Sequence, residues 1–366
     1  MWQARGRRQG RIVIATRPRV SRIATRAAAR LTDAARAGLA WGPPRPETDP
    51  LRRLTTPVLL LLAALCPAPA AEAAPIAFVL NSADATISEF DYLTRREIRR
   101  LPVLREPHHL ALTPDGQHLA VGDTSGNALF FLDPVTGEMQ NHITISDPYQ
   151  LFFSPNGRYL TVAGLARDQI DIYDAHSYQL LHRIVAKSMP SHANYAPDSS
   201  VVYVSLQQSG RLMAIETATG RVIWNVPVGS TPAGVLFHNG QILVGVMGTD
   251  YVAVADPADG HTIRQIHLQP GPHNIFLDPG GRHVYVTARV SGYIDQLDPT
   301  TLALQHSFRV PGGPDDIVFA PDGKMWATLR WRQHVAVIDP VSGEYTTIAT
   351  GRSPHGIWLN NDIPRH

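Results

Sequence analysis

The chain has 366 residues, of which 44% are hydrophobic and 17% charged, and this hydrophobic share excludes a wholly disordered protein. Gly and Pro make up about one residue in six without a glycine period of three, which excludes collagen and indicates many short turns. Residues 75–366 hold 20 Lys and Arg residues against 27 Asp and Glu residues, and this excess of acids argues against nucleic-acid binding.

The first predicted element is a secretory signal peptide. Arg52 and Arg53 precede a ten-residue apolar run, 57–66, and an Ala-rich stretch follows it. That stretch contains Ala71-x-Ala73, which is typical of a signal-peptidase site. Ten apolar residues are too few for a permanent helical span, so we expect no stable membrane anchor after cleavage.

The signal peptide divides the chain into three predicted parts. Residues 1–50 form an Arg-rich N-terminal extension, which a translation start placed too far upstream or an organelle transit peptide would explain. Residues 51–74 are the signal peptide, and residues 75–366 are the exported domain. The only cysteine, Cys66, is removed with the leader, so we expect a periplasmic or secreted domain without disulfides.

Two landmarks recur with one period after residue 75. A proline that opens an apolar strand is found at Pro107, Pro148, Pro190, Pro232, Pro272, Pro314 and Pro354. An acidic residue that ends a strand before a turn is found at Asp91, Asp133, Asp174, Glu216, Asp256, Asp298 and Asp339. Successive members of both series are 40 to 42 residues apart. A period of that length with four short strands is typical of a β-propeller.

The repeat that begins at Pro107 shows the predicted strands. They cover 108–112, 119–121, 128–132 and a stretch near 142–145. Turn sequences separate them, and Gly116 in Pro114-Asp115-Gly116 supplies the residue with positive φ.

The chain ends predict how the ring closes. The exported domain opens with a second, a third and a fourth strand, over 77–80, 86–90 and 97–103, and finishes with a lone first strand over 355–359. Pairing that last strand with the N-terminal three completes a blade and removes an exposed sheet edge. The predicted fold is therefore all-β, a seven-bladed propeller of four-stranded blades closed by the C-terminal strand.

These repeats resemble the YVTN-type, YncE-like β-propellers. The resemblance is carried by motifs such as Ser154-Pro155-Asn156-Gly157, Tyr203-Val204-Ser205, Tyr285-Val286-Thr287 and Asp133-x-x-Thr136-Gly137. It implies a seven-bladed exported protein. The same superfamily includes d1-haem propellers, propellers of quinoprotein pathways and lactonase-like propellers, so the resemblance implies a fold and no single chemistry.

The two positions after each landmark proline are rich in histidine. Because inner strands start at one end of a propeller, these side chains should surround one mouth of the central channel. The loops between second and third strands return to the same end and add arginines. The predicted ligand site consists of His108, His109, His192, His273, His355, Arg289, Arg330 and Arg332.

Each candidate also has a purely structural interpretation. A histidine at the start of an inner strand can simply hydrogen-bond the neighbouring blade. The segment Arg330-Trp331-Arg332 is either an anion clamp or a solvated loop with one packed ring, and we favour the loop. Asp315 and Asp316 could hold a cation or cap a turn, and we favour the cap.

The leading functional hypothesis is a non-catalytic binding protein. The sequence has no Gly-x-Ser-x-Gly, His-Glu-x-x-His, Cys-x-x-Cys or haem-attachment motif, which makes an enzyme the less favoured reading. We expect a monomer whose partner is a small molecule or a periplasmic protein.

Two other hypotheses stay open. A d1-type haem or a divalent metal would use His108, His273 and His355 as ligands, with Arg289 and Arg330 pairing haem carboxylates. The d1-haem propellers that the repeats resemble have eight blades rather than seven, which weakens the haem version. A lactonase or lyase would need a histidine base beside an acid and a divalent metal.

Overall fold

Short strands and tight turns build seven antiparallel sheets of four strands each. The structure is a computed structural model that describes residues 75–362. The N-terminal extension and the signal peptide lie outside the described residues and stay predictions. Within residues 75–362, no helix is long and apolar enough to cross a membrane.

Each sheet is one blade, and its four strands run from the centre of the ring outward. The inner strands are β4 (Pro107–Leu112), β8 (Gln150–Phe153), β12 (Pro190–Tyr195), β16 (Pro232–His238), β20 (Pro272–Leu277), β24 (Pro314–Phe319) and β28 (Pro354–Leu359). The second strands are β1 (Ile76–Asn81), β5 (Leu119–Asp123), β9 (Tyr159–Gly164), β13 (Val201–Leu206), β17 (Gln241–Val246), β21 (Val284–Ala288) and β25 (Met325–Leu329).

The outer half of each blade is built in the same way. The third strands are β2 (Thr86–Asp91), β6 (Ala128–Leu132), β10 (Gln169–Asp174), β14 (Arg211–Glu216), β18 (Tyr251–Ala255), β22 (Tyr293–Leu297) and β26 (His334–Ile338). The outer strands are β3 (Arg96–Pro102), β7 (Met139–Thr144), β11 (Leu180–Val185), β15 (Arg221–Pro227), β19 (Thr262–His267), β23 (Leu304–Arg309) and β27 (Tyr345–Ala349). A short 3-10 helix, Asn360–Asp362, follows β28.

Burial follows the position of a strand in its blade. β5 and β6 are buried at every residue, whereas β7 is mostly exposed. The middle strands are covered on both faces because apolar clusters fill the spaces between adjacent blades. The seven inner strands contact one another around the central channel, so their first residues meet at one end of it.

The ring closes as the sequence predicts. β28 pairs with β1 in antiparallel register, with Phe78 opposite Trp358 and Ala77 opposite Leu359. The resulting sheet has the order β28-β1-β2-β3. The Phe78 and Trp358 rings pack with their centroids 5.7 Å apart. Both ends of the described chain therefore share one blade, and neither leaves an unpaired inner edge.

The acidic landmark is a turn that the side chain itself organises. Asp133 Oδ1 accepts hydrogen bonds from the backbone N–H groups of Val135 (2.8 Å) and Thr136 (2.9 Å). Gly137 then takes φ +72° and donates its N–H to the Asp133 carbonyl. Asp339 makes the same turn with Val341, Ser342 and Gly343. An Asx turn followed by a left-handed residue explains why an acid recurs once per blade.

Candidate functional site

A β-bulge follows the landmark proline in β4 and sets the direction of two side chains. Pro107 pairs with Asp123 and Leu110 pairs with Val121, so His108 and His109 together face the single residue Gly122. A bulge places two residues against one and re-aims their side chains. Because of it, two consecutive histidines are both directed into the channel and both buried.

Two of the other bulged inner strands place a hydroxyl residue opposite the bulge. In β12 that residue is Ser205, and in β24 it is Thr328. The Thr328 hydroxyl accepts from the N–H of Asp316 (3.1 Å) and donates to the His355 carbonyl (2.7 Å). This hydroxyl therefore ties the channel end of one blade to that of the next. Composition alone did not identify these positioning residues, whose only sequence signal is their place opposite the bulge.

Replacing Gly234 with alanine is expected to lower the free energy of unfolding by about 1–3 kcal/mol. A Cβ at this position would lie 2.6 Å from the Asn274 Cα and 2.7 Å from the His273 carbonyl oxygen, and neither is a flexible side-chain atom. Urea unfolding measures the change. Gly280→Ala is the control, because its Cβ would meet only the flexible Arg282 side chain. Equal effects of the two substitutions would contradict the close approach of these inner strands.

Five histidines and one aspartate form a group that we call the channel cluster: His108, His109, His192, His273, His355 and Asp315. Their side chains are buried, with exposed fractions of 6% for His109 and at most 1% for the other five. The ring centroids are 3.7 Å apart for His108 and His355, and 4.5 Å for His109 and His355. His192 lies 5.5 Å from His109 and 5.2 Å from His273 by the same measure.

Asp315 is the anionic member of the channel cluster. His273 Nδ1 lies 3.0 Å from its Oδ1, and His355 Nε2 lies 3.3 Å from its Oδ2. The guanidinium of Arg289 donates to Oδ1, and Arg330 Nη1 lies 3.4 Å from Oδ2. Both arginines are largely buried. One carboxylate thus faces two guanidinium groups and two imidazoles.

The surroundings determine which imidazole nitrogens carry a proton. His109 Nδ1 lies 2.7 Å from the Tyr149 carbonyl oxygen, which can only accept, so this nitrogen is the donor. The lone pair of His109 then lies on Nε2, which is buried without a hydrogen-bond partner among the described residues. His355 Nε2 faces Asp315 within ion-pair distance, although its N–H is not aligned as a hydrogen bond. That placement leaves the lone pair of His355 on the buried, unpartnered Nδ1.

Burial keeps the five imidazoles uncharged at neutral pH. Removal from water lowers the pKa of His109 and of His273 to about 4. The same cause holds the pKa of His108, His192 and His355 well below the usual value. A neutral imidazole with a free lone pair is the form that binds metal ions.

The pKa values of the two neighbouring carboxyl groups, Asp315 and Asp316, are shifted in opposite directions. Burial by itself would raise the pKa of Asp315, but Arg289 and the two facing histidines hold it well below the usual range. Burial and the charge of Asp315 raise the pKa of Asp316 to about 7, against the opposing hydrogen bond from Asn274 (2.9 Å). Asp315 is therefore a permanent anion at neutral pH, and Asp316 titrates there.

The structure brings together seven of the eight predicted site residues. Arg289 and Arg330 reach Asp315 with the five histidines, whereas Arg332 is exposed on its loop and forms no ion pair with Asp315. Trp331 between them is 59% exposed, so the packed ring of the solvated-loop interpretation is not found. The sequence favoured a turn cap for Asp315 and Asp316, but the structure places both in the channel, where burial and ion pairing give Asp315 another role. Only their position after Pro314 could have indicated this.

Two cavities differ in their relation to this site. One, of about 840 Å³, is lined by residues such as Asp278, Tyr285 and Phe319 and by no member of the channel cluster. A smaller groove of about 360 Å³ is lined in part by Arg330, which contacts Asp315. Of these two cavities, only the smaller groove has a lining residue that contacts the channel cluster.

Residues 50–365 match the sequence profile of the YNCE-like beta-propeller family. The chain belongs to this family. That match covers the whole described YNCE-like domain, including the strand that closes the ring. No curated protein sequence matches the chain.

Solved structures are similar to this YNCE-like propeller at low sequence identity. The dihydro-heme d1 dehydrogenase NirN, in complex with DHE, has a TM-score of 0.61 and 16% identity, covering 83% of this chain and 79% of that one. Pseudomonas aeruginosa periplasmic gluconolactonase, PpgL, has a TM-score of 0.64 and 18% identity, covering 79% and 99%. Virginiamycin B lyase from Staphylococcus aureus has a TM-score of 0.58 and 13% identity, covering 69% and 90%. These likenesses establish the fold alone.

Proposed function

We propose that this YNCE-like propeller is a binding protein for a divalent transition-metal ion, held by His108, His109 and His355. One observation carries the proposal: each of the three buried histidines offers a ring nitrogen, and these nitrogens all lie within 4.8 Å of one another. No other group of three His, Cys, Asp or Glu residues within 75–362 meets the same criterion.

The chemistry of these ligands favours a late first-row ion such as Cu²⁺ or Zn²⁺. Metal–nitrogen bonds of about 2.0–2.1 Å in a tetrahedral site place neighbouring ligand nitrogens about 3.3 Å apart. Ring rotations that move the nitrogen atoms by an ångström or so would bring the three nitrogens to that spacing. His109 Nε2 and His355 Nδ1 are buried and unpartnered, so coordination would satisfy two polar atoms that the fold leaves without a hydrogen bond.

A carbonyl and a carboxylate group contact the second ring nitrogen of two of these histidines. The Tyr149 carbonyl orients His109, and Asp315 faces the far nitrogen of His355. Metal-binding histidines commonly direct their second nitrogen to such an acceptor, which fixes the ring and raises its basicity. Asp315 would act here by orienting His355.

A d1-type haem fits the channel cluster less well. The rings of His108 and His355 lie with their centroids 3.7 Å apart at an interplanar angle of 36°, and because both are buried, neither presents an open face on which a macrocycle could lie. The similarity to NirN supports haem binding only through the shared fold, so a single ion is the better proposal.

Localisation and catalytic activity complete the proposal. The predicted signal peptide would place the protein in the periplasm or outside the cell, as a monomer that delivers or stores its ligand. The folds of PpgL and of virginiamycin B lyase support a second candidate, a metal-assisted lactonase or lyase. Hydrolysis of a lactone by the metal-loaded protein would favour that candidate over simple binding.

Purified full-length chain is expected to bind one Cu²⁺ or Zn²⁺ ion, and His109→Gln or His355→Gln should weaken that binding by about 100-fold or more. Mutation of a residue that only hydrogen-bonds a metal ligand typically lowers metal affinity 10–100-fold, so loss of a ligand itself costs at least as much. Metal content after dialysis and competition with a coloured chelator measure both quantities.

His176→Gln is the control, because His176 is an exposed turn residue outside the channel cluster. Circular dichroism of all variants checks that the sheets are intact. Metal binding equally strong in the two channel variants and the control would refute the proposed site. A visible haem band in the purified protein would support the d1-type alternative.

A further inference from the structure

We propose that the metal ion in the channel cluster takes a small oxyanion or carboxylate as its remaining ligand, and that Arg289 and Arg330 hold this anion. The inference rests on the proposed metal site and goes one step beyond it, because it names the class of molecule that the loaded protein recognises.

Charge balance is the first argument. Two guanidinium groups, Arg289 and Arg330, share one buried carboxylate, Asp315, which also faces two of the imidazoles. These three groups sum to one positive charge, so a divalent ion adds two more positive charges in a buried place. Uncompensated charge away from water is costly. A bound anion removes that cost.

Open coordination is the second argument. Three protein nitrogens leave at least one position of a tetrahedral ion for an external ligand. Asp315 does not take that position in the structure, because its oxygens face His273, His355 and the two arginines. The remaining ligand must therefore come from solution.

Access from solvent is the third argument. The side chains of Arg289 and Arg330 retain 12% and 21% of their exposure, whereas the imidazoles of the channel cluster are buried. Arg330 also lines the groove of about 360 Å³. Arg105 contributes a second cation to that groove, and Ser353 lines it as well.

The charge of the groove wall suits an anion. It carries two cations, Arg105 and Arg330, against one acid, Glu106, which is engaged by the Ser125 hydroxyl. Ser82, also in the wall, donates to the Pro107 carbonyl (2.7 Å), next to His108. Paired N–H groups of arginine match the oxygens of carboxylates and oxyanions.

The test uses full-length protein loaded with Cu²⁺ and titrated with azide, a small anion whose copper complex absorbs visible light. A charge-transfer band that saturates with azide and is displaced by formate is the expected result. Arg330→Gln should raise the azide dissociation constant about tenfold, because a charge-assisted contact is lost. Arg332→Gln, on the same loop but exposed and unpaired with Asp315, should change it less than twofold.

Arg330→Lys keeps the positive charge and replaces Arg330→Gln in the test if the Gln variant fails to fold. Its azide affinity should lie between those of the wild type and the Gln variant. Copper that loads without any azide band, or equal azide affinities in the Arg330→Gln and Arg332→Gln variants, would overturn the anion site and leave the metal site intact. Failure of copper to load would overturn the proposed function and, with it, this inference.

Discussion

Replacing Asp315 with asparagine is expected to destabilise the propeller by about 3–5 kcal/mol, the usual cost of removing one partner from a buried ion pair. The Asp315 side chain is fully buried, and its carboxylate is the counter-ion of Arg289 and Arg330. Asparagine has nearly the same shape and carries no charge. The loss would therefore come from leaving the guanidinium groups without an anion and not from a cavity.

Urea unfolding of metal-free protein measures this change. Asp339→Asn is the matched control, since Asp339 caps a surface turn and pairs with Lys324 at 2.6 Å on the exposed side of its blade. Exposed pairs contribute about 0–1 kcal/mol, and asparagine can still cap the turn. If the two variants lose similar stability, the ion-pair network around Asp315 does not hold the channel together.

A fall in pH from 7 to about 4.5 is expected to lower the free energy of unfolding of the metal-free protein. An imidazole in the unfolded chain takes up a proton near pH 6.5. In the folded chain His109 and His273 do so only near pH 4, because burial lowers their pKa. Between these values the unfolded state binds more protons, so stability falls with pH. Near pH 4, each of these two residues therefore lowers the free energy of unfolding by about 3 kcal/mol relative to its value at pH 7.

Two neighbouring carboxyl groups, Asp315 and Asp316, also change the dependence of stability on pH, and Asp316 opposes this trend. Asp316 has a pKa of about 7 in the folded chain, against about 3.9 when unfolded, so it adds stability as the pH falls from 7 to 4. Asp315, whose pKa is lowered, weakens the fold only below about pH 3.9. Since His108, His192 and His355 act in the same direction as His109, the net change is a loss.

Urea unfolding at several pH values between 7 and 4.5 tests this dependence. The variant His273→Gln should show a shallower slope than the wild type, and His176→Gln should leave the slope unchanged. Stability that stays constant or rises over this range would show that the histidines are hydrated and charged in solution, contrary to their burial in the structure.

Much of the fold could be predicted because its signals are local and repeated. A side-chain cap at Asp133 followed by a left-handed glycine needs only five residues, and it recurs at Asp339 with the same hydrogen bonds. The period of these turns determines the number of blades. The missing first strand at one end and the surplus strand at the other predict the pairing of β1 with β28, which the structure confirms.

The candidate site could be predicted only in part. The position of a residue after the landmark proline was enough to select His108, His109, His192, His273 and His355 for one end of the channel. Position on a loop was not enough to separate Arg330 from Arg332, since they are two residues apart and only the path of the loop directs one inward. The same limit applied to Asp315, whose sequence context is also that of a turn cap.

The sequence by itself determined the number of blades, the closure of the ring and the end of the channel where the histidines gather, because turns and strand periods depend on neighbouring residues. Only the tertiary structure decided that the rings of His108 and His355, from opposite ends of the domain, lie with their centroids 3.7 Å apart, and that one carboxylate pairs with two arginines. Those contacts join different blades. Their distances depend on bulges and on the closure of the whole ring, which no short segment of the sequence encodes.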